Sequence, residues 1–244
     1  MSIFKLNVDY RMFGDPKDRI SQRRYAMQTA AKDNAGLTKA LLTCGILTGP
    51  LFFAVAIIQA VTRPEYNIRL NAISQLSLGD LGWIQITSFL LTGLLAVACA
   101  VGVRRLLKGQ KGGLWGAILV GTFGLGLIVA GIFPPDPAFG FPPGAPAGPG
   151  PMPMSGHADL HALGFFLSML SLIINCFVFV RRFGSVGRRG WLIYSVASAV
   201  ATIALIALTN VFMSWAGVIV ALAGAVAFGW VSATAARLRS SRES

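Results

Sequence analysis

Long charge-free apolar stretches alternate along this chain with short polar, mostly basic segments. Six stretches reach the roughly 20 residues that a helix needs to cross a bilayer core about 30 Å thick. They are 40–61, 83–103, 112–133, 162–180, 191–209 and 215–236. None contains Asp, Glu, Lys, Arg or His, and most end on a stop signal: Arg63-Pro64, Arg104-Arg105, Pro134-Pro135, Arg181-Arg182, and Arg237 with Arg239. Proline cannot continue a helix, and arginine resists the hydrocarbon. The fifth and sixth stretches are separated only by 210–214, which predicts a tight helical hairpin. One broken helix is the alternative, but it would be about twice a bilayer width. The pattern predicts an all-α polytopic membrane protein with six transmembrane helices.

Composition agrees. Apolar residues make up 55% of the 244 positions and charged residues 12%, with a mean hydropathy of +0.67. A soluble domain carries roughly 25% charged residues, so a water-soluble enzyme does not fit, and so much apolar content excludes disorder for most of the chain. The formal charge of +12 would suit nucleic acid, but its distribution argues otherwise. Of the 21 lysines and arginines, 19 lie before the first span, after the second, after the fourth or after the sixth. Only Arg63 and Arg69 lie on the other side. The excess of Lys and Arg in short cytoplasmic loops predicts that both termini are cytoplasmic, in a bacterial cytoplasmic (inner) membrane. The expected partner of this charge is membrane lipid, with no nucleic acid.

The expected organisation is a cytoplasmic tail over 1–36, a membrane domain over 37–236 with outer loops 62–82 and 134–161, and a cytoplasmic tail over 237–244. Residues 1–36 lack the apolar core of a cleavable signal peptide. They read as a solvated tail or one lying on the membrane surface. Cys44, Cys99 and Cys176 all fall within spans and read as small apolar residues.

Helices in lipid associate through small residues. The third span offers Gly116, Gly121, Gly124, Gly126 and Gly131; the sixth offers Gly217, Ala221, Ala225 and Gly229 at helical spacing. Internal helix contacts are the first reading, and a homo-oligomer through these small-residue faces is the second. Gly49-Pro50 within the first span predicts a kink. No internal repeat supports a transporter of two similar halves.

The residues that a helix bundle does not require gather in the outer loops. Read as a helix from Pro64, the first loop places Asn67, Asn71 and Ser74 on one face beside Arg63 and Arg69. That stripe suits an anionic head group, or else loop capping with Tyr66 as an interfacial anchor. The second loop holds nine of the twelve prolines within 134–153, which favours extended backbone that either covers a site or connects helices. It ends at Ser155-Gly156-His157-Ala158-Asp159-Leu160-His161. On a helix starting near Ser155, His157 and His161 share a face. This is a spacing used in helical zinc sites, with Asp136 or Asp80 as a third ligand. The alternative is two interfacial histidines bonded to loop carbonyls and responsive to external pH. Bis-histidine haem is disfavoured, because axial ligands approach from opposite sides. A phosphate loop and a nucleophile elbow are both absent.

At these residues the chain resembles the bacterial integral-membrane proteins of the domain of unknown function 998 family. The resemblance rests on Arg63-Pro64-x-Tyr66-Asn67, Asn71-Ala72-Ile73-Ser74-x-Leu76, Gly131-Ile132-Phe133-Pro134-x-Asp136-Pro137, Gly140-Phe141-Pro142-Pro143-Gly144 and His157-x-x-Leu160-His161. It spans roughly 38–236, and Gly156 stands where members often carry tryptophan. The resemblance implies a six-helix membrane fold and no established activity.

Two functions compete. In the first, the protein is a membrane enzyme acting on a lipid or lipid-linked substrate at the outer leaflet. His157, His161 and Asp136 would act as acid, base or ligands of a divalent metal such as zinc, and Arg63, Arg69, Asn71 and Ser74 would bind substrate. In the second, it is a non-catalytic lipid-binding, sensory or transporter-like module. A purely structural partner is a third reading.

Overall fold

The computed structural model describes residues 16–241 and contains six long helices: α1 (Pro16–Thr62), α2 (Gly82–Leu106), α3 (Trp115–Ile132), α4 (Gly156–Ser185), α5 (Arg189–Leu208) and α6 (Ala216–Ser240). Each includes a stretch long and apolar enough to cross a membrane. The chain divides into two compact units, Met1–Thr38 and Lys39–Ser244. In the first, the tail expected over 1–36 is helical from Pro16, a residue whose missing N–H is harmless in a first helical turn. Residues 1–15 of that tail lie outside the described residues.

In the second unit the helices pack in chain order, α2 on α3, α3 on α4, α4 on α5 and α5 on α6. The 39–62 part of α1 closes the ring against α2 and α6. Glycines set these crossings. A Cβ on Gly93 of α2 would sit 2.6 Å from the Gly124 carbonyl oxygen of α3, and one on Gly126 of α3 would sit 2.6 Å from the Gly164 carbonyl oxygen of α4. Gly45 of α1 leaves room for Cys99 of α2, and Gly49 lies against Phe228 and Ser232 of α6. The glycines of the third span are internal contacts, as their spacing suggested. Pro50 sits inside α1 without ending it, and the Gly49 amide beside it donates to the Ser232 hydroxyl at 3.1 Å.

The core is aromatic. Phe228 of α6 meets Phe123 of α3 at 4.9 Å and Phe52 of α1 at 5.0 Å, and Phe52 meets Phe89 of α2 at 5.1 Å, in tilted or edge-on geometries favoured by ring quadrupoles. A few polar links cross between helices: Trp230 Nε1 donates to Ser195 Oγ at 3.0 Å, and Ser168 Oγ donates to the Phe123 carbonyl at 3.1 Å. The cysteines are free.

The connectors sort to two ends. One end carries 107–114, 186–188 and the basic residues in the last turns of α2, α4 and α6; we call it the basic end. The other carries 63–81, 133–155 and 209–215, and we call it the capped end. There the amphipathic helix expected from Pro64 is not formed. The Asn67 side chain accepts from the Arg69 amide at 3.1 Å, and the Asn71 side chain accepts from the Asn67 amide at 2.8 Å. These bonds hold the backbone in turns, the competition with helix that asparagine offers. Only a 3₁₀ turn, Ile73–Ser77, follows.

Candidate functional site

The capped end is organised around Asn71, which is fully buried. Its amide donates to Gln75 Oε1 at 3.0 Å and to the Ala138 carbonyl at 3.3 Å. Its backbone carbonyl accepts the Tyr66 hydroxyl at 2.9 Å, and Gln75 Nε2 adds a second bond to Ala138 at 3.4 Å. Burial pushes the Tyr66 phenol above its ordinary range, which keeps it a donor. Asn71 therefore ties the first connector to the proline-rich one, and its amide is spent on the protein.

The proline-rich connector folds back on itself. Phe139 N donates to the Gly148 carbonyl and Gly140 N to that of Pro146, both at 2.8 Å. Phe139 and Gly140 both have positive φ, 53° and 75°, and the Phe141-Pro142 bond is cis. The turn drives Phe141 inward, edge-on to Tyr66 at 5.4 Å. The Arg63 guanidinium lies 4.6 Å from the centre of the Phe141 ring and donates to the Leu76 and Leu78 carbonyls at 2.7 and 2.6 Å. Partial burial draws its pKa below the usual arginine range. Arg63 thus clamps the end of α1 to the 3₁₀ turn. Arg69 stands apart, over the Trp215 ring at 4.3 Å, and its carbonyl accepts from Gly217 N at 3.0 Å. The four residues expected to bind a substrate are not one cluster: Asn71 and Arg63 are structural clasps, Arg69 joins the connector to α6, and only Ser74 lines a cavity.

The expected metal trio is not assembled either. Ser155 caps α4, as its position suggested, by accepting from Ala158 N at 3.2 Å. Asp136 Oδ2 accepts the Ser155 amide at 2.8 Å, and the Ser155 side chain first, then that amide, hold its carboxyl below the ordinary range, with His157 adding a smaller electrostatic pull. His157 is exposed, edge-on to Phe133 at 5.5 Å. His161, one turn on, is buried at 8% exposure. Its Nδ1 meets the carbonyls of Ala130 and Phe133, each at 2.9 Å. Among the described residues no three His, Cys, Asp or Glu side chains gather as metal ligands would.

The sequence explains one of those bonds. A helical carbonyl normally accepts from the amide four residues on. For Ala130 that residue is Pro134, which has no N–H. Phe133 lies just past the end of α3 with extended backbone, and its carbonyl meets the same imidazole nitrogen.

Beyond His161 is a cavity of about 60 Å³ between α1, α2, α3, α4 and α6, closed at the capped end by Ala72, Ile73 and Ser74. Its walls are otherwise apolar, with Phe52, Phe89, Leu127, Phe165 and Phe228 prominent. Beside it a groove of about 220 Å³ runs between α1 and α6, and the two spaces share Phe53, Ile73 and Ala221. Ile57, Ile68 and Leu222, all half or more exposed, stand where the groove opens to the outside of the bundle. Ala221 and Ala225 of the sixth span's small-residue stripe line this groove, whereas Gly229 faces open space.

A second polar feature lies near the same end of α1 and α2. Gln59 Nε2 donates to Gln85 Oε1 at 2.7 Å, both side chains being buried. Gln59 Oε1, Gln85 Nε2, Ser88 Oγ and Thr92 Oγ1 have no partner. Sequence reasoning passed over this pair, although the i, i+3, i+7 spacing of Gln85, Ser88 and Thr92 put one polar stripe on an otherwise apolar helix.

Comparison with curated proteins and with solved structures finds no match. The family comparison does: with a match over residues 46–237, covering all of α2 to α5 and nearly all of α6, the chain belongs to the family described as protein of unknown function (DUF998).

Proposed function

We propose that this protein is a lipid-binding membrane module, taking the chain of a lipid or lipid-linked amphiphile into the groove between α1 and α6. The observation that carries this reading is that the groove, open at the side of the bundle, adjoins the cavity at His161 and shares Phe53, Ile73 and Ala221 with it. Helices without a ligand to hold would close such a space, because association in lipid is driven by tight packing. The capped end supports binding rather than metal chemistry, since its arginine, asparagine and aspartate side chains mostly bond to backbone groups. The capped end faces the exterior of a bacterial cytoplasmic membrane and the basic end the cytoplasm, a placement supported by the gathering of lysine and arginine at the basic end.

Two measurements test the reading. Purified protein incubated with a photoactivatable fatty-acyl lipid is labelled on 53–60 of α1 and 218–225 of α6, and Ala225→Trp, at an exposed groove position, removes most of that labelling. Labelling spread evenly over the outer faces of α4 and α5, or unchanged in Ala225→Trp, overturns it. For orientation, Ala147→Cys reacts with a membrane-impermeant maleimide on intact cells; labelling only after lysis reverses the topology.

A further inference from the structure

We propose that His161 is a hydrogen-bond acceptor for the hydroxyl of a neutral, single-chain amphiphile, a long-chain alcohol, whose tail leaves through the α1–α6 groove. The proposal rests on the lipid-binding reading above and adds the chemical class of the ligand.

The argument starts from the ring's two nitrogens. Nδ1 meets two carbonyl oxygens at 2.9 Å each, and a carbonyl only accepts, so Nδ1 carries the proton. In a neutral imidazole Nε2 is then a bare acceptor. The neutral form suits the site, because His161 is buried and the cavity beyond it is walled by Phe89, Leu127, Phe165 and Met169, where an isolated charge would be costly. Both hydrogen bonds of His161 fall on Nδ1 and the residue lines the cavity, so Nε2 is the ring atom left to meet a donor there.

Three features narrow the donor's chemistry. A phosphate or carboxylate brings only acceptors and negative charge to Nε2, and the arginines that could balance it are engaged elsewhere, Arg63 with Leu76 and Leu78 and Arg69 over Trp215. At about 60 Å³ the cavity has room for one small polar end group and not for a phosphorylated head group. The adjoining groove of about 220 Å³ is apolar and suits a single alkyl chain. The hydroxyl of Ser74, at the cavity's edge, can accept or donate a second bond to the same hydroxyl.

The chain has only two histidines, so ring nitrogens of ¹⁵N-histidine-labelled protein in detergent report each one separately. Titration with 1-hexadecanol is expected to shift the His161 Nε2 resonance upfield, as acceptance of a hydrogen bond does, while His157 stays put. Hexadecane should leave both unchanged. In competition against the photolabel, 1-hexadecanol should be about tenfold more effective than hexadecane, the size of one hydrogen bond made in an apolar site. Ala221→Trp, which narrows the junction of cavity and groove and leaves His161 with its carbonyls, should abolish the shift.

Equal competition by both compounds with no His161 shift overturns the hydroxyl proposal and leaves the lipid-binding reading standing. No competition by either, together with loss of photolabelling, overturns both. An Nε2 resonance already at a hydrogen-bonded position and unmoved by 1-hexadecanol means that a water molecule alone occupies the cavity, and that too overturns it.

Discussion

At the basic end, α2 turns into α3 through 107–114 and α4 into α5 through 186–188, and Arg182 of α4 reaches the Lys111 carbonyl at 3.2 Å. At the capped end, 63–81 and 133–155 are long, and they are joined by buried amides, a buried phenol and a clamped arginine. Charge at the basic end works by position. It needs no specific partner, because water and lipid head groups solvate it. Polarity at the capped end works by pairing, since the groups are buried and each missing bond carries a desolvation penalty. A bundle can be oriented by the first kind of end. The second kind closes the cavity at His161, through Ala72, Ile73 and Ser74.

The widest gap between the two ends should come from Asn71→Ala. It removes the bonds that Asn71 makes to Asn67 N, Gln75 Oε1 and Ala138 O together, and at about 1 kcal/mol for each a loss of about 3 kcal/mol is expected. Arg182→Ala, which removes the matching cross-link at the basic end, should cost no more than about 1 kcal/mol, as partly exposed interactions do. Thermal unfolding in detergent, followed by intrinsic fluorescence, compares the two. Equal losses would mean that the capped end is no more specifically paired than the other.

The two histidines sharpen the comparison within one helix. His161→Phe should cost about 2 kcal/mol, because the buried Ala130 and Phe133 carbonyls lose their shared donor. His157→Phe should be within about 0.5 kcal/mol of the parent, as for an exposed position. A smaller effect follows for Arg63→Lys, which keeps the charge and gives up the two-pronged reach to Leu76 and Leu78. About 1 kcal/mol is expected, read by the same melt, with amide exchange of the 73–78 turn faster than in the parent.

The parts of this fold that could be read from the sequence are those that the bilayer dictates locally. Twenty apolar residues without a charge leave a chain few alternatives to crossing as a helix, and Ser155 followed by Asp159 marks a helix start by its own chemistry. The candidate site was less legible, because its pairings are long-range. Asn71 finds Ala138 across 67 residues, and nothing near Asn71 in sequence distinguishes a buried clasp from a ligand-binding amide. The i, i+4 spacing of His157 and His161 fits a metal pair and a capping histidine equally well. The deciding signal was upstream: Pro134 sits four residues after Ala130 and withholds the amide that helical carbonyl needs. The groove between α1 and α6 left only the alanines and glycines of the sixth span as its trace, and those fit a packed interface as well.

The smallest expected effect concerns Asp136 and takes its sign from the bond to Ser155. In the folded protein the Ser155 side chain and, after it, the Ser155 amide hydrogen-bond the carboxylate, which holds its pKa below the ordinary carboxylate value of 3.8. A group with a depressed folded pKa contributes stability that is fully present above its unfolded value and is lost as pH falls through the folded one. Amide exchange at Ser155 should therefore keep the same protection between pH 5 and pH 8, the chemical rate being allowed for, and lose it progressively once the pH drops below about 4. Asp136→Asn should weaken that protection at every pH and flatten its acid dependence, because a neutral amide oxygen accepts less strongly and does not titrate. Protection and acid dependence unchanged in Asp136→Asn would instead mean that the carboxylate does not hold the entrance to α4.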